Sequence, residues 1–280
     1  MRKKFLPVLI ILCLALTCSA HAGLKDLNYQ SDLPPIVVQG AMKSETDFLI
    51  SCLKNPVEYK IGSWTYTAGK IDGYPVIISL TRMGVGNAAV ATAFAIEAFN
   101  PVAVINQGTA GGHDPEIHRG DIVLAQRTYD IGAWVSEPRV KGKGVDFKDV
   151  KFNGPFYYDR NLSSGDIYLY SDKNLLKIIE GMNNHSFKGR IVKGTMASSN
   201  TWESRVDRIL FFHEKFGSSA EDMESHSVAD ICEDYGVPFL GVRILSNSAV
   251  TQEAYNPATG LDCQKFVLDF LHEYIKTLSK

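Results

Sequence analysis

The sequence predicts a single α/β layered domain. Short apolar and β-branched runs alternate with segments of helical spacing along most of the 280 residues, the pattern of strands and helices packed in layers. Turn residues such as Asp72-Gly73, Pro101 and Gly236 punctuate those segments. No internal repeat or low-complexity block interrupts the chain after residue 36.

The elements follow in order. "IVVQGAM" (36–42) is an apolar run closed by Gly40 and reads as a first strand. "KSETDFLISCLK" (43–54) carries Phe48, Cys52 and Leu53 at helical spacing. Residues 62–81 alternate aromatic and β-branched side chains around Asp72-Gly73, a hairpin signal. "GVGNAAVATAFAIEAF" (84–99) is a Gly-rich loop entering an Ala-rich, closely packed helix that Pro101 stops. "VAVINQGTAGG" (102–112) is a strand followed by a Gly-rich turn, and 120–126 is another strand. Residues 127–165 have weak periodicity and read as a long loop region. Ser171 is a cap candidate for a helix over 171–182. Residues 189–200 are a strand running into a loop, 221–236 a helix ended by Gly236, 237–246 a buried strand, and 262–278 a closing amphipathic helix.

The first 22 residues stand apart. Arg2, Lys3 and Lys4 precede the apolar run Phe5–Leu16, and Ala20-His21-Ala22 supplies a small-x-small cleavage pattern. This is the make-up of a secretory signal peptide. The run is short for a membrane-spanning helix, which needs about 20 apolar residues. Residues 23–35 are polar, end in Pro34-Pro35 and read as a linker, leaving 36–280 as the domain. The expected location is periplasmic or secreted, with no membrane contact after cleavage. A formal net charge of −2 gives no basis for nucleic-acid binding. Beyond the signal, Cys52, Cys232 and Cys263 remain. Three cysteines do not pair completely, so buried thiols or one disulfide are the two readings.

Individually, the chemical signals are weak. No Gly-rich loop continues into Gly-Lys-Ser/Thr, and "GVGNAA" lacks the full dinucleotide fingerprint, so no cofactor is implied. His113 and His118 lie near Asp114 and Glu116, but without metal-ligand spacing. They read as solvated loop residues, and no metal is expected. Asp222 and Glu224 flank Met223 at an apparent helix start, where their side chains diverge and acids suit the helix dipole.

The combination is more specific. "GAMKSE" early, "INQGTAGG" mid-chain, "GDIV" after it, "DME" late and then "VPFLGVRILSN" together resemble the nucleoside phosphorylase/nucleosidase superfamily. The methylthioadenosine/S-adenosylhomocysteine nucleosidase branch is the nearest in pattern. The resemblance runs from about residue 36 to the C-terminal helix. It implies α/β/α layers around a mixed, partly closed sheet, a purine nucleoside as substrate, and a homo-oligomer, commonly a dimer.

The resemblance also assigns roles. Glu45 matches the general base that activates a water against the anomeric carbon. Glu224 matches the acid that accepts from two sugar hydroxyls, and Met223 the side chain against the ribose face. Arg243 matches an arginine near the water, which needs acidic partners such as Glu45 or Glu224. Thr109, Ala110 and Gly111 match a turn beside the water or phosphate pocket. Trp202 is either the aromatic stacked on the base or a core residue. Hexameric phosphorylases carry an Arg before the glycine turn to hold phosphate, whereas this chain has Asn106-Gln107. That favours hydrolysis, with Arg82 an alternative phosphate ligand.

One departure affects the chemistry. Adenine-type nucleosidases place an Asp where this chain has Asn247, beside Ser246. An Asp donates a proton to purine N7 as the bond breaks, whereas an amide offers only hydrogen bonds. Trimeric purine nucleoside phosphorylases also place Asn here. Three readings follow: a 6-oxopurine nucleosidase, a slow adenine nucleosidase, or a nucleoside-binding protein without catalysis.

Overall fold

Ile36, Val37 and Val38 set the layering, because successive strand residues point to opposite faces and all three are fully buried. In the computed structural model, which describes residues 27–136, 138–144, 150–152, 168–183 and 185–279, Ile36 and Val38 belong to one core and Val37 to another. Residues 1–22, which the sequence reading takes as a signal peptide, lie outside the described residues. Within 27–35, Tyr29 packs edge-on against Phe99 and Tyr59, with ring centroids 5.0 and 5.9 Å away.

The elements are β1 (Ile36–Gly40), a 3-10 turn (Lys43–Glu45), α1 (Asp47–Cys52), β2 (Lys54–Ile61), β3 (Trp64–Ile71), β4 (Tyr74–Leu80), α2 (Val85–Phe99), β5 (Ala103–Gly112), β6 (Ile122–Asp130), β7 (Trp134–Ser136), β8 (Val150–Phe152), β9 (Leu169–Tyr170), α3 (Lys173–Glu180), β10 (Ile191–Ser198), α4 (Val206–Phe216), β11 (Ser218–Asp222), α5 (Ser225–Tyr235), β12 (Phe239–Asn247) and α6 (Thr259–Leu278). The core containing Ile36 and Val38 takes in Leu49 of α1, Leu175 and Ile179 of α3, and Phe266, Phe270 and Leu271 of α6. The core containing Val37 takes in Ala88 and Ile96 of α2 and Val228 and Cys232 of α5. These are the α/β/α layers.

The main sheet runs β11-β10-β6-β12-β5-β1-β4-β3-β2. β11 also pairs antiparallel with β5, Ala220 opposite Gly112 and Glu221 opposite Gly111. Strands β5, β12, β6, β10 and β11 therefore close a ring, and β1 to β4 form an open wing. The sheet is mixed, since β12 is parallel to β5 and antiparallel to β6. Residues at or just beyond the carboxyl ends of β1, β5, β10, β11 and β12 line one cleft. Ligands in such sheets bind outside the carboxyl ends of strands.

Several elements differ from the sequence reading, each for a physical reason. The helix expected over 43–54 is a 3-10 turn and a six-residue helix that ends before Lys54. The chain then forms β2, an exposed edge strand whose Pro56 and charges conceal it in sequence. Thr109, Ala110 and Gly111 are not a turn. β5 continues through Gly112, held by β12 on one side and by β11 at its end.

β6 extends to Asp130, and β7 pairs antiparallel with β8 inside the expected loop region. Residues 145–149 and 153–165 of that region lie outside the described residues. The cap of α3 is Asp172, which accepts from Asn174 N and Leu175 N at 2.8 and 3.0 Å, while Ser171 Oγ donates to Ala125 O. Helix α4 falls in 203–220, where no element was expected. The expected helix at 221 begins at Ser225, because 218–222 is a strand. Cys52, Cys232 and Cys263 are free thiols, the last two buried.

Candidate active site

Glu45 is placed by a short connection leaving β1. Its Oε2 accepts from Ala41 N and Met42 N at 3.0 and 3.2 Å. Its Oε1 accepts from Thr109 N and Thr109 Oγ1 at 2.8 and 2.9 Å. Three of these donors are backbone amides, and the Thr109 hydroxyl is the one that rotates. A carboxylate has about four acceptor positions, and these four donors fill them. The approach requires a glycine: a Cβ on Gly108 would stand 2.8 Å from Oε1. Gln264 of α6 fixes the turn from behind. Its Nε2 donates to Ser44 O at 2.9 Å and its Oε1 accepts from Phe48 N at 3.0 Å.

Beneath the cleft floor, Arg243 of β12 is 1 % exposed. Its Nη2 lies 2.8 Å from Asp222 Oδ2 and 3.6 Å from Glu224 Oε2, and donates to Asn106 Oδ1 at 2.5 Å. Burial alone lowers the guanidinium pKa, but Asp222, Glu224 and Glu45 outweigh it and hold it above its ordinary value. Asp222 and Glu224 thus converge on one cation. They do not diverge, because Asp222 ends a strand and Glu224 stands at the cap of α5. Asp222 is the principal partner, which the sequence reading missed in naming Glu45 or Glu224. Asp222 Oδ1 also accepts from Ser198 Oγ at 2.6 Å and from Ser225 N at 3.2 Å.

Glu224 joins this cation to a second helix start. Its Oε1 accepts from Gly84 N at 3.0 Å, and Asn200 Oδ1 accepts from Val85 N at 3.0 Å. Two otherwise unpaired amides at the start of α2 are satisfied this way. Gly84 has φ 102°, a left-handed conformation that suits glycine. Burial, followed by the charge of Asp222, pushes the Glu224 carboxyl up to about 7, against the opposing pull of Arg243 and Gly84 N–H.

These residues face one cleft of about 610 Å³, counting its open mouth. Of the sequence-predicted site residues, Glu45, Met223, Glu224, Thr109, Ala110, Gly111, Trp202, Ser246 and Asn247 all line it, and Arg243 lies behind the lining. Ser246 Oγ lies 3.1 Å from Ala110 O and donates to Asn247 Oδ1 at 3.0 Å. Nδ2 of Asn247 has no partner among the described residues. Trp202 is not core. It is 60 % exposed and meets Tyr255 edge-on at the cleft rim, centroids 5.5 Å apart. Arg82 does not reach the cleft lining, and its Nη1 donates to Ser63 Oγ at 2.8 Å.

His113 is also not a solvated loop residue. It is fully buried, with Nδ1 2.8 Å from Ser218 Oγ and its ring stacked on Phe212, because ring closure by β11 covers the end of β5. His118 remains half exposed near Glu253. Sequence reasoning also missed Glu221, Met42, Met83 and Tyr255 in the lining. The first stands in a polar strand, and the others lie in loops that carry no pattern.

The cleft therefore presents carboxylates and an amide, with a guanidinium buried behind them, beside strand ends of a partly closed sheet. That fold and site define a class of α/β proteins that bind and act on nucleoside-sized molecules. Residues 35–279 match the Phosphorylase superfamily, and the chain belongs to that family. The 5'-methylthioadenosine/S-adenosylhomocysteine nucleosidase of Bacillus pumilus is 30% identical over 217 residues, covering 76% of this chain and 86% of that protein. The corresponding enzyme of Bacillus thuringiensis is 27% identical over 244 residues, covering 85% and 98%. Among solved structures, the Neisseria meningitidis nucleosidase with methylthio-immucillin-A has a TM-score of 0.70 at 22% identity, covering 85% of this chain and 99% of that one. A futalosine hydrolase mutant of Helicobacter pylori reaches 0.71 at 22% identity, covering 86% and 100%.

Proposed function

We propose that the protein is a purine nucleoside N-glycosidase that cleaves its substrate with water, prefers 6-oxopurine nucleosides, and acts outside the cytosol as a homodimer. The charge of the cleft carries the hydrolytic reading. Among the described residues, the lining holds Glu45, Glu221, Asp222 and Glu224 but no Lys or Arg, and the guanidinium beneath is already committed to Asp222 and Asn106. A phosphate anion meets repulsion there, and a neutral water does not. The nucleosidase names of the relatives agree with this reading.

The step uses groups already placed. Glu224 accepts from the sugar hydroxyls, and Met223 covers the sugar face. A water on Glu45 Oε1 loses a proton to that carboxylate as its oxygen bonds the anomeric carbon. The carbon–nitrogen bond to the purine breaks, and the bonding pair leaves with the base. Positive charge developing on the sugar is stabilised by the surrounding carboxylates.

Asn247 supports the base preference. With Oδ1 accepting from Ser246, its free Nδ2 donates to the N7 and O6 acceptors of a 6-oxopurine. An adenine nucleoside offers an amine at that place, although the names of the relatives favour adenine nucleosides. The discriminating experiment is Asn247→Asp, with release of free base followed for inosine, guanosine, adenosine and methylthioadenosine. The expected result is a shift toward adenine nucleosides. Unchanged rates and preference contradict the assignment of this residue.

A further inference from the structure

Glu221 has no role in the step just described, yet its carboxylate lines the cleft and the residue is 7 % exposed. It stands on β11 directly opposite Gly111 of β5, at the pairing that closes the ring. Its two oxygens have different surroundings. Oε2 is buried without a hydrogen bond among the described residues, and His113 Nε2 stands 3.3 Å from it. His113 is itself held by Ser218 on its other nitrogen. Oε1 accepts from Glu203 N at 2.9 Å and keeps a second acceptor position.

The placement of Oε1 relative to Asn247 is informative. A Cβ on Gly111 would stand 3.6 Å from Glu221 Oε1 and 3.6 Å from Asn247 Nδ2. An acceptor and a donor thus flank one point on the cleft wall. A 6-oxopurine presents the complement on neighbouring atoms: an acceptor at O6 and a donor at N1–H. Adenine reverses both, with an amine at position 6 and a lone pair at N1.

We propose that Glu221 is a specificity-determining residue that accepts from the purine N1–H, with Asn247 donating to the adjacent O6, and that the Glu203 N–H holds the carboxylate in place. This rests on the purine nucleoside reading and extends it to a requirement for an N–H at position 1. A lone pair at that position faces a carboxylate oxygen and is repelled. Sites built to hydrogen-bond a substrate N–H reject analogues lacking it strongly.

The test compares inosine, 1-methylinosine and adenosine on the wild-type protein and on Glu221→Leu, with kcat/KM measured from base release. In the wild type, 1-methylinosine and adenosine are expected at least about 100-fold below inosine. In the variant, the ratio of inosine to adenosine is expected to fall by a similar factor. A ratio unchanged within about threefold in a folded variant overturns the proposal. So does wild-type cleavage of 1-methylinosine as fast as inosine, a result that needs no variant. If no nucleoside is cleaved, the hydrolase reading fails separately, and calorimetry with hypoxanthine and adenine on the wild type decides about Glu221. Tighter binding of hypoxanthine supports the role. Equal affinities, tighter adenine, or no binding of either base overturns it.

Discussion

Replacing Glu45 by Gln keeps the side-chain shape and removes its charge. The structure sets two separate costs. A general base contributes about 10²- to 10⁴-fold to rate, which corresponds to roughly 3–6 kcal/mol at about 1.4 kcal/mol per tenfold. The second cost is local. All four contacts of Glu45 are donors, and Gln offers one acceptor oxygen and one amine. Whichever way the amide turns, its amine faces either Ala41 N and Met42 N or the Thr109 amide. Leaving a buried donor unmatched costs about 1–3 kcal/mol of stability. Stopped assays of free base give kcat, calorimetry with a nucleoside gives affinity, and urea melts give stability. The expected result is kcat reduced at least about 100-fold, nucleoside affinity within a few-fold of the wild type, and a modest loss of stability. A kcat within tenfold of wild type refutes the assignment of Glu45 as base, because water activation would then not depend on its charge.

Other outcomes follow from the buried charges and the core. Arg243→Met strips Asp222 and Glu224 of their cation, and urea melts are expected to show a loss of about 3–5 kcal/mol; a loss under 1 kcal/mol contradicts the ion-pair account. The raised Glu224 carboxyl fixes a sign. The unfolded chain releases this proton near the ordinary value of 4.5 and the folded chain near about 7, so the contribution of this group to stability falls as pH rises through that interval. Urea melts at several pH values should therefore show a smaller pH slope in Glu224→Gln. Sugar hydroxyls donate more strongly to an ionised carboxylate than to a protonated carboxyl, which also loses acceptor capacity, so nucleoside affinity is expected to rise with pH through about 7 and then level; calorimetry that finds the opposite trend contradicts the sugar-binding role. Phe270, fully buried on α6, is expected to cost about 3–5 kcal/mol as Phe270→Ala, and thermal melts check this.

The legible parts of the fold were those where hydrophobic pattern and local geometry agree. Ile36, Val37 and Val38 announce a two-faced strand, and Asp72-Gly73 announces the β3–β4 turn. β2 and β11 were hidden because neither is held by apolar alternation. β2 is an edge most of whose side chains face solvent. β11, "SSAED", is buried yet polar, and hydrogen bonds from Ser198 and Ser225 to Asp222 and the contact of Ser218 with His113 satisfy it. Misreading β11 as the start of a helix hid the convergence of Asp222 and Glu224, since side chains two apart behave differently on the two elements. The site was legible wherever a motif had a fixed neighbour in sequence, as at Glu45 and Asn247. Glu221 and His113 meet only through the β5–β11 closure, a contact between distant segments that no local pattern encodes.

The central claim, that water and not phosphate receives the sugar, has one direct measurement. The protein is incubated with inosine or guanosine in phosphate-free buffer, and free base and sugar are quantified with and without added phosphate. The account predicts base and free ribose at the same rate in both. Base released only when phosphate is present, with ribose 1-phosphate as co-product, contradicts it.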